Sequence, residues 1–159
     1  MKYGFIKLLS FSGLSLIFFT LAISVFLFFI GLPVGALNFL AANIVSMILT
    51  SFVFKDFKRV FCAHFVNFII INILAVYFST TKDFTADSLW YHIPAIDLIR
   101  SGWNPADINT AHYPLHDWGK YFTKGPWIIN AAFAVFYSCL EAAKLLGSFL
   151  IYLSCLFSY

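Results

Sequence analysis

Asp83-Phe-Thr-Ala-Asp87-Ser-Leu-Trp-Tyr91-His92-Ile-Pro94 opens a polar segment that runs from Thr80 to Pro126, with apolar chain on either side of it. Five of the seven acidic residues fall in this segment: Asp83, Asp87, Asp97, Asp107 and Asp117. So do three of the four histidines, His92, His112 and His116. Chemistry is therefore expected in this loop, and the apolar remainder is expected to hold it at one face of a membrane.

The composition sets that frame. The chain is 62% hydrophobic and 11% charged over 159 residues, whereas soluble domains carry about 25% charged residues. A small domain leaves much of its area exposed, so this much apolar surface cannot be hidden from water. The net charge of +3 gives no reason to expect a nucleic-acid partner. Cys62, Cys139 and Cys155 lie in apolar segments without metal-ligand spacing, and are read as small apolar packing residues.

Working outward from the loop, three apolar runs precede it. Lys2 and Lys7 lead into Leu8–Ile30, an uncharged run longer than the roughly 7–15 residues of a signal-peptide core. It is read as a retained span, long enough for a hydrocarbon core of about 30 Å. Gly31 and Gly35 flank Pro33 and predict a turn rather than a dimerisation face. A second span covers about Ala36 to Phe54. Its Asn43, Ser46 and Thr50 share one face, which in lipid turns toward a neighbouring helix or, on a sharper reading, lines a transport path. A third covers about Val60 to Ser79, with His64 read as a packing histidine. By the positive-inside rule, Lys2, Lys7, Lys55, Lys58 and Arg59 put the N-terminus and the loop near 55–59 in the cytoplasm. Thr80–Pro126 then lies outside the cytoplasm, with the cell membrane as the site.

Beyond the loop, a fourth span is expected to begin near Trp127, an interfacial anchor. Glu141 and Lys144, able to pair at i, i+3, would mark its cytoplasmic end. Ser148–Tyr159 is too short to cross, so residues 127–159 read as a fourth helix and the start of a further segment, the front of a longer chain. The fold class is thus all-α integral membrane: about four transmembrane helices with a long extracytoplasmic loop bearing a short amphipathic interfacial helix.

Within the loop, Leu89, Trp90, Ile93, Ile96 and Ile99 predict a helix that Pro94 starts or kinks, and Gly102 should end it. Asp87 sits just before it. A carboxylate at the lipid–water boundary could be a general base toward an acceptor hydroxyl, hold a divalent cation, or simply cap the helix. Asp83 and Asp87 are four apart and could share a helix face, or be two solvated acids. His112 and His116 have the spacing of a zinc pair, but Pro114 lies between them and no Glu follows the first His. Lys120 and Lys124 stand at the interface as phosphate ligands or snorkelling anchors, and Arg100 has the same two readings.

Asp87-Ser-Leu-Trp-Tyr91-His92-Ile-Pro94, Gly102-Trp-Asn-Pro105, Tyr113-Pro114 and Lys124-Gly-Pro-Trp127 together resemble the first extracytoplasmic loop of bacterial polytopic membrane glycosyltransferases of the GT-C superfamily. Leu140–Leu146 resembles the helix that follows that loop. The resemblance implies sugar transfer from a polyprenyl-phosphate-linked donor to an acceptor outside the cytoplasm. By carry-over Asp87 is catalytic, with Asp83 the second candidate. Tyr91, His92 and Tyr113 would shape the substrate site, and charge and position add Arg100, Lys120 and Lys124. The family places this loop after its first span rather than its third, and its members have more spans, so this chain reads as an incomplete enzyme. The alternative is a non-catalytic or vestigial membrane protein whose loop, with Trp90, Trp103 and Trp118, docks a membrane-protein partner. A transporter fragment fits less well, because ionisable residues avoid the spans.

Overall fold

The structure is a computed structural model that describes residues 4–82, 92–105 and 124–158. The described residues form helices and turns: α1 (Phe5–Phe29), α2 (Ala36–Phe54), α3 (Phe57–Ser79), α4 (Ile93–Arg100), α5 (Gly125–Phe136), a 3₁₀ turn (Leu140–Lys144) and α6 (Leu145–Phe157). Four stretches are long and apolar enough to cross a membrane: α1, α2, α3, and the 3₁₀ turn continued by α6, Leu140–Phe157. Even the shortest, 18 residues, measures about 27 Å at 1.5 Å per residue. The protein is an all-α, multi-pass membrane protein.

Turn chemistry divides the first three spans. Gly31 takes φ +76°, and the N–H groups of Gly31 and Leu32 donate to Phe28 O (3.1 Å) and Leu27 O (2.9 Å). Those bonds satisfy carbonyls that the end of α1 would leave orphaned in lipid. Between α2 and α3 stand only Lys55, at φ 54°, and Asp56, whose carboxylate accepts from Arg59 N at 3.2 Å and so caps α3. At the far end of α3 the hydroxyls of Ser79, Thr80 and Thr81 donate to Val76, Tyr77 and Phe78 carbonyls.

The three helices pack through small polar residues and turn large apolar ones outward. On α1, Ser10, Ser12, Gly13, Thr20 and Ser24 are buried, while Phe18, Phe26 and Phe29 are exposed. Lipid is as apolar as Leu, so burying phenylalanine drives no association here; close backbone approach and interhelical hydrogen bonds do. The expected polar face of α2 meets α1: Ser46 Oγ donates to Ser15 Oγ at 2.8 Å. Asn67 of α3 donates to Leu9 O (2.9 Å) and Ser12 Oγ (2.8 Å). Outside, Phe57, Phe61 and Phe65 stack as a ladder along α3, with centroids 6.4 and 6.3 Å apart. Cys62 and Cys155 are exposed too. This corrects their reading as packing residues, since their helix faces point toward lipid; Cys139 packs against the core.

The fourth crossing differs from the sequence expectation. α5 is only 12 residues long and ends where Ser138 takes φ 51° and Cys139 N donates to Ala134 O at 3.0 Å. Lys144 Nζ pairs with Glu141 and donates to Thr81 O at 2.8 Å. Thr81 follows α3 at the end where the polar loop begins, so Glu141 and Lys144 are at the loop end of the bundle, not at the basic end. From there α6 descends beside α1 and α3. Leu153 reaches Gly13, and Tyr152 and Leu156 pack against Leu8, Leu9, Val60 and Ala63. The apolar run from Trp127 is thus split by a reversal, and the crossing starts at Leu140. α5 has too few residues to span, and its Phe133 and Phe136 rest on Phe39 near the start of α2.

Candidate functional site

Two short helices, α4 and α5, cap the loop end. The α4 sequence places Ala95, Ile96 and Ile99 on one face, all buried. They pack with Phe28, Val34, Ile128, Ala131 and Ala132. The helix is amphipathic as its spacing predicts, and its apolar stripe is covered by protein. Asp97 and Arg100 are on the opposite, exposed face, 3.9 Å apart. Gly102, at φ 101°, ends the helix, and Trp103 N donates to Leu98 O at 2.9 Å. Asn104 then ties the segment down, donating to Phe28 O at 2.8 Å.

α4 and α5 meet at their N-termini. Trp127 Nε1 donates to His92 Nδ1 at 2.8 Å, and the two rings meet edge to face at 6.0 Å. His92 Nδ1 is the acceptor, so its lone pair faces the indole N–H. Each helix has a proline in its first turn, Pro94 and Pro126, where a missing N–H costs nothing. Neither start has a side-chain cap among the described residues. Lys124, half-buried, immediately precedes α5. The positive dipole end at the start of α5, together with the lysine before it, favours an anion at this corner.

Of the sequence-derived candidates, the structure brings His92 and the Lys124 position to this corner. Arg100 is at the other end of α4, about 10 Å away along the axis, paired with Asp97 on an exposed face. Asp83, Asp87, Tyr91, Tyr113 and Lys120 lie outside the described residues, as do His112 and His116. Among the described residues no three His, Cys, Asp or Glu side chains gather as a metal site.

Two residues at the site were not assigned these roles from sequence. Trp127 was read as an interfacial anchor, but it is buried and orients His92. Asn104 enters the sequence reading only within Gly102-Trp-Asn-Pro105, yet it bridges to α1. A tryptophan one turn into a proline-started helix is a weak signal for the first, and no local pattern signals the second. Comparison with known proteins returns no likeness: no family model, curated protein or solved structure matches the chain.

Proposed function

We propose that the chain is the N-terminal portion of a membrane glycosyltransferase, transferring a sugar from a polyprenyl-phosphate-linked donor to an acceptor on the extracytoplasmic side. The observation that carries this reading is the paired start of α4 and α5 at the end of the bundle from which the acidic loop emerges. A lipid-linked donor presents its phosphate at membrane-surface depth, where the α5 start and Lys124 supply the complementary charge. Asp87, five residues before His92 in the sequence, is the general base or a cation ligand in this scheme, and Asp83 its alternate. As base, Asp87 takes the proton of the acceptor hydroxyl as that oxygen bonds to the anomeric carbon; the bond from that carbon to the carrier phosphate breaks, and the phosphate leaves on its lipid. His92 and Tyr91 border the sugar. Lys120 and Lys124 stabilise the departing phosphate.

The test is transfer of labelled hexose from polyprenyl-phosphate hexose in proteoliposomes, comparing the native chain with Asp87→Asn. A loss of transfer with unchanged membrane insertion supports the assignment. Equal transfer by the variant removes Asp87 from the mechanism. Absence of transfer by the native chain leaves the docking role of the loop as the better reading.

A further inference from the structure

The half of the bundle nearest Lys7, Lys55, Lys58 and Arg59 holds polar groups that its own packing does not satisfy. Nearly every other buried hydroxyl in α1–α3 has a partner. Ser10, Ser12 and Thr20 donate to carbonyls in the preceding turn, Ser46 donates to Ser15, and Ser24 accepts from Asn38. Thr50 is the exception, 1% exposed and without a partner for Oγ1 among the described residues. His64, 3% exposed, has neither ring nitrogen bonded among them, and Asn67, 1% exposed, has Oδ1 unmatched.

Helix register puts these groups at similar depth. Asn67 is fixed against Leu9 and Ser12. His64 precedes it by one turn on the buried face of α3. Thr50 follows, by one turn of α2, the Ser46 that bonds to α1. Nor does turning the Asn67 amide over help. Leu9 O can only accept, and the Ser12 hydroxyl hydrogen already goes to Leu9 O. Both Nδ2 hydrogens are therefore required where they are, and Oδ1 is left over.

Donor and acceptor chemistry selects the missing partner. A neutral imidazole offers one N–H and one lone pair, Thr50 offers an O–H, and Asn67 Oδ1 only accepts. Among the described residues no carboxylate is buried in α1–α3 to hold a cation, and the two donors are too few for a phosphate. A neutral ligand that both donates and accepts fits, and water makes about three bonds in such sites.

We propose that Thr50, His64 and Asn67 form a buried hydration site that holds one or two ordered water molecules between α1, α2 and α3, in the half of the membrane span nearest the basic residues. The spans are then dry at Ser15–Ser46 and wet one turn away, so His64, the only histidine within a crossing among the described residues, is in contact with exchangeable water.

Water-edited solid-state NMR on the full chain in lipid bilayers, labelled at histidine, asparagine and serine, tests this. Polarisation should pass from water to the His64 ring nitrogens and the Asn67 side chain several-fold faster than to Ser15 and Ser46. Thr50→Val should slow the transfer to His64 several-fold, and Thr50→Ser, which keeps the hydroxyl, should restore it. Transfer to His64 no faster than to Ser46 in the native chain overturns the proposal. So does a His64 rate that Thr50→Val leaves unchanged. Because the native chain and the Thr50→Ser variant carry the comparison, a Thr50→Val variant that failed to fold would not remove the test.

Discussion

The two ends of the bundle are built on different physics. At the basic end, α1, α2, α3 and α6 meet through glycine, serine and asparagine, and specificity comes from hydrogen bonds that cross between helices. At the loop end, α4 and α5 lay alanine and isoleucine against Phe28, Val34 and Trp127, and two tethers, Trp127–His92 and Asn104–Phe28, hold the segment in place. The first is the solution for helices in lipid, where apolar burial has no water to escape. The second is the packing of a small water-facing domain, where burying Ile96 and Ile99 does stabilise. A membrane scaffold and a loop-end cap thus share one chain, and His92 and Lys124 are on the cap.

The comparison can be broken first at the basic end. A side chain at Gly13 would overlap Leu153 and come within 3.3 Å of Asn67 Nδ2, so Gly13→Leu should force α6 off α1. Overpacking of this kind costs about 1–3 kcal/mol, and reversible unfolding in mixed micelles should show it as the largest loss among these variants. Asn67→Leu removes both cross-helix donors, at about 1–2 kcal/mol in the same assay. A smaller loss than that from any loop-end variant would contradict a scaffold held by interhelical polar contacts.

At the loop end, Trp127→Phe keeps most of the ring and removes the donor to His92. It should cost about 1 kcal/mol, with hydrogen exchange quickening in the α4 amides and unchanged in α1–α3. Spread of the effect to α3 would mean that cap and scaffold are not separable. The smallest effect is expected from Arg100→Gln: the pair with Asp97 is exposed and at 3.9 Å, so stability should move by less than about 0.5 kcal/mol.

The scaffold was legible in the sequence because membrane spans are written in composition. Uncharged runs ending in Gly31-Leu-Pro33 and in Lys55-Asp56 give the bounds of α1, α2 and α3 to within three residues, and Pro94 and Gly102 bracket α4. What was not legible is the turn at Ser138. A non-glycine residue at positive φ carries no sequence signal, so the run from Trp127 read as the fourth span and Ser148–Tyr159 as the start of a further segment. Glu141 and Lys144, correctly seen as a pair, were therefore assigned to the wrong end. The bond from Lys144 to Thr81 is a contact between residues 63 apart, and local spacing cannot predict it. At the candidate site, the residue types were visible at His92 and Lys124, but their meeting depends on Trp127, whose partner lies 35 residues away.

In this topology Thr80, Thr81, α4 and α5 share one side of the membrane, and the return crossing is Leu140–Phe157. Single-cysteine labelling by a membrane-impermeant maleimide, with Cys62, Cys139 and Cys155 replaced by alanine, tests it directly. Probes at Ser101 and Glu141 should label from the same face, and a probe at Lys58 only from the opposite one. Labelling of Glu141 together with Lys58, and apart from Ser101, would show that α5 crosses and would contradict the account.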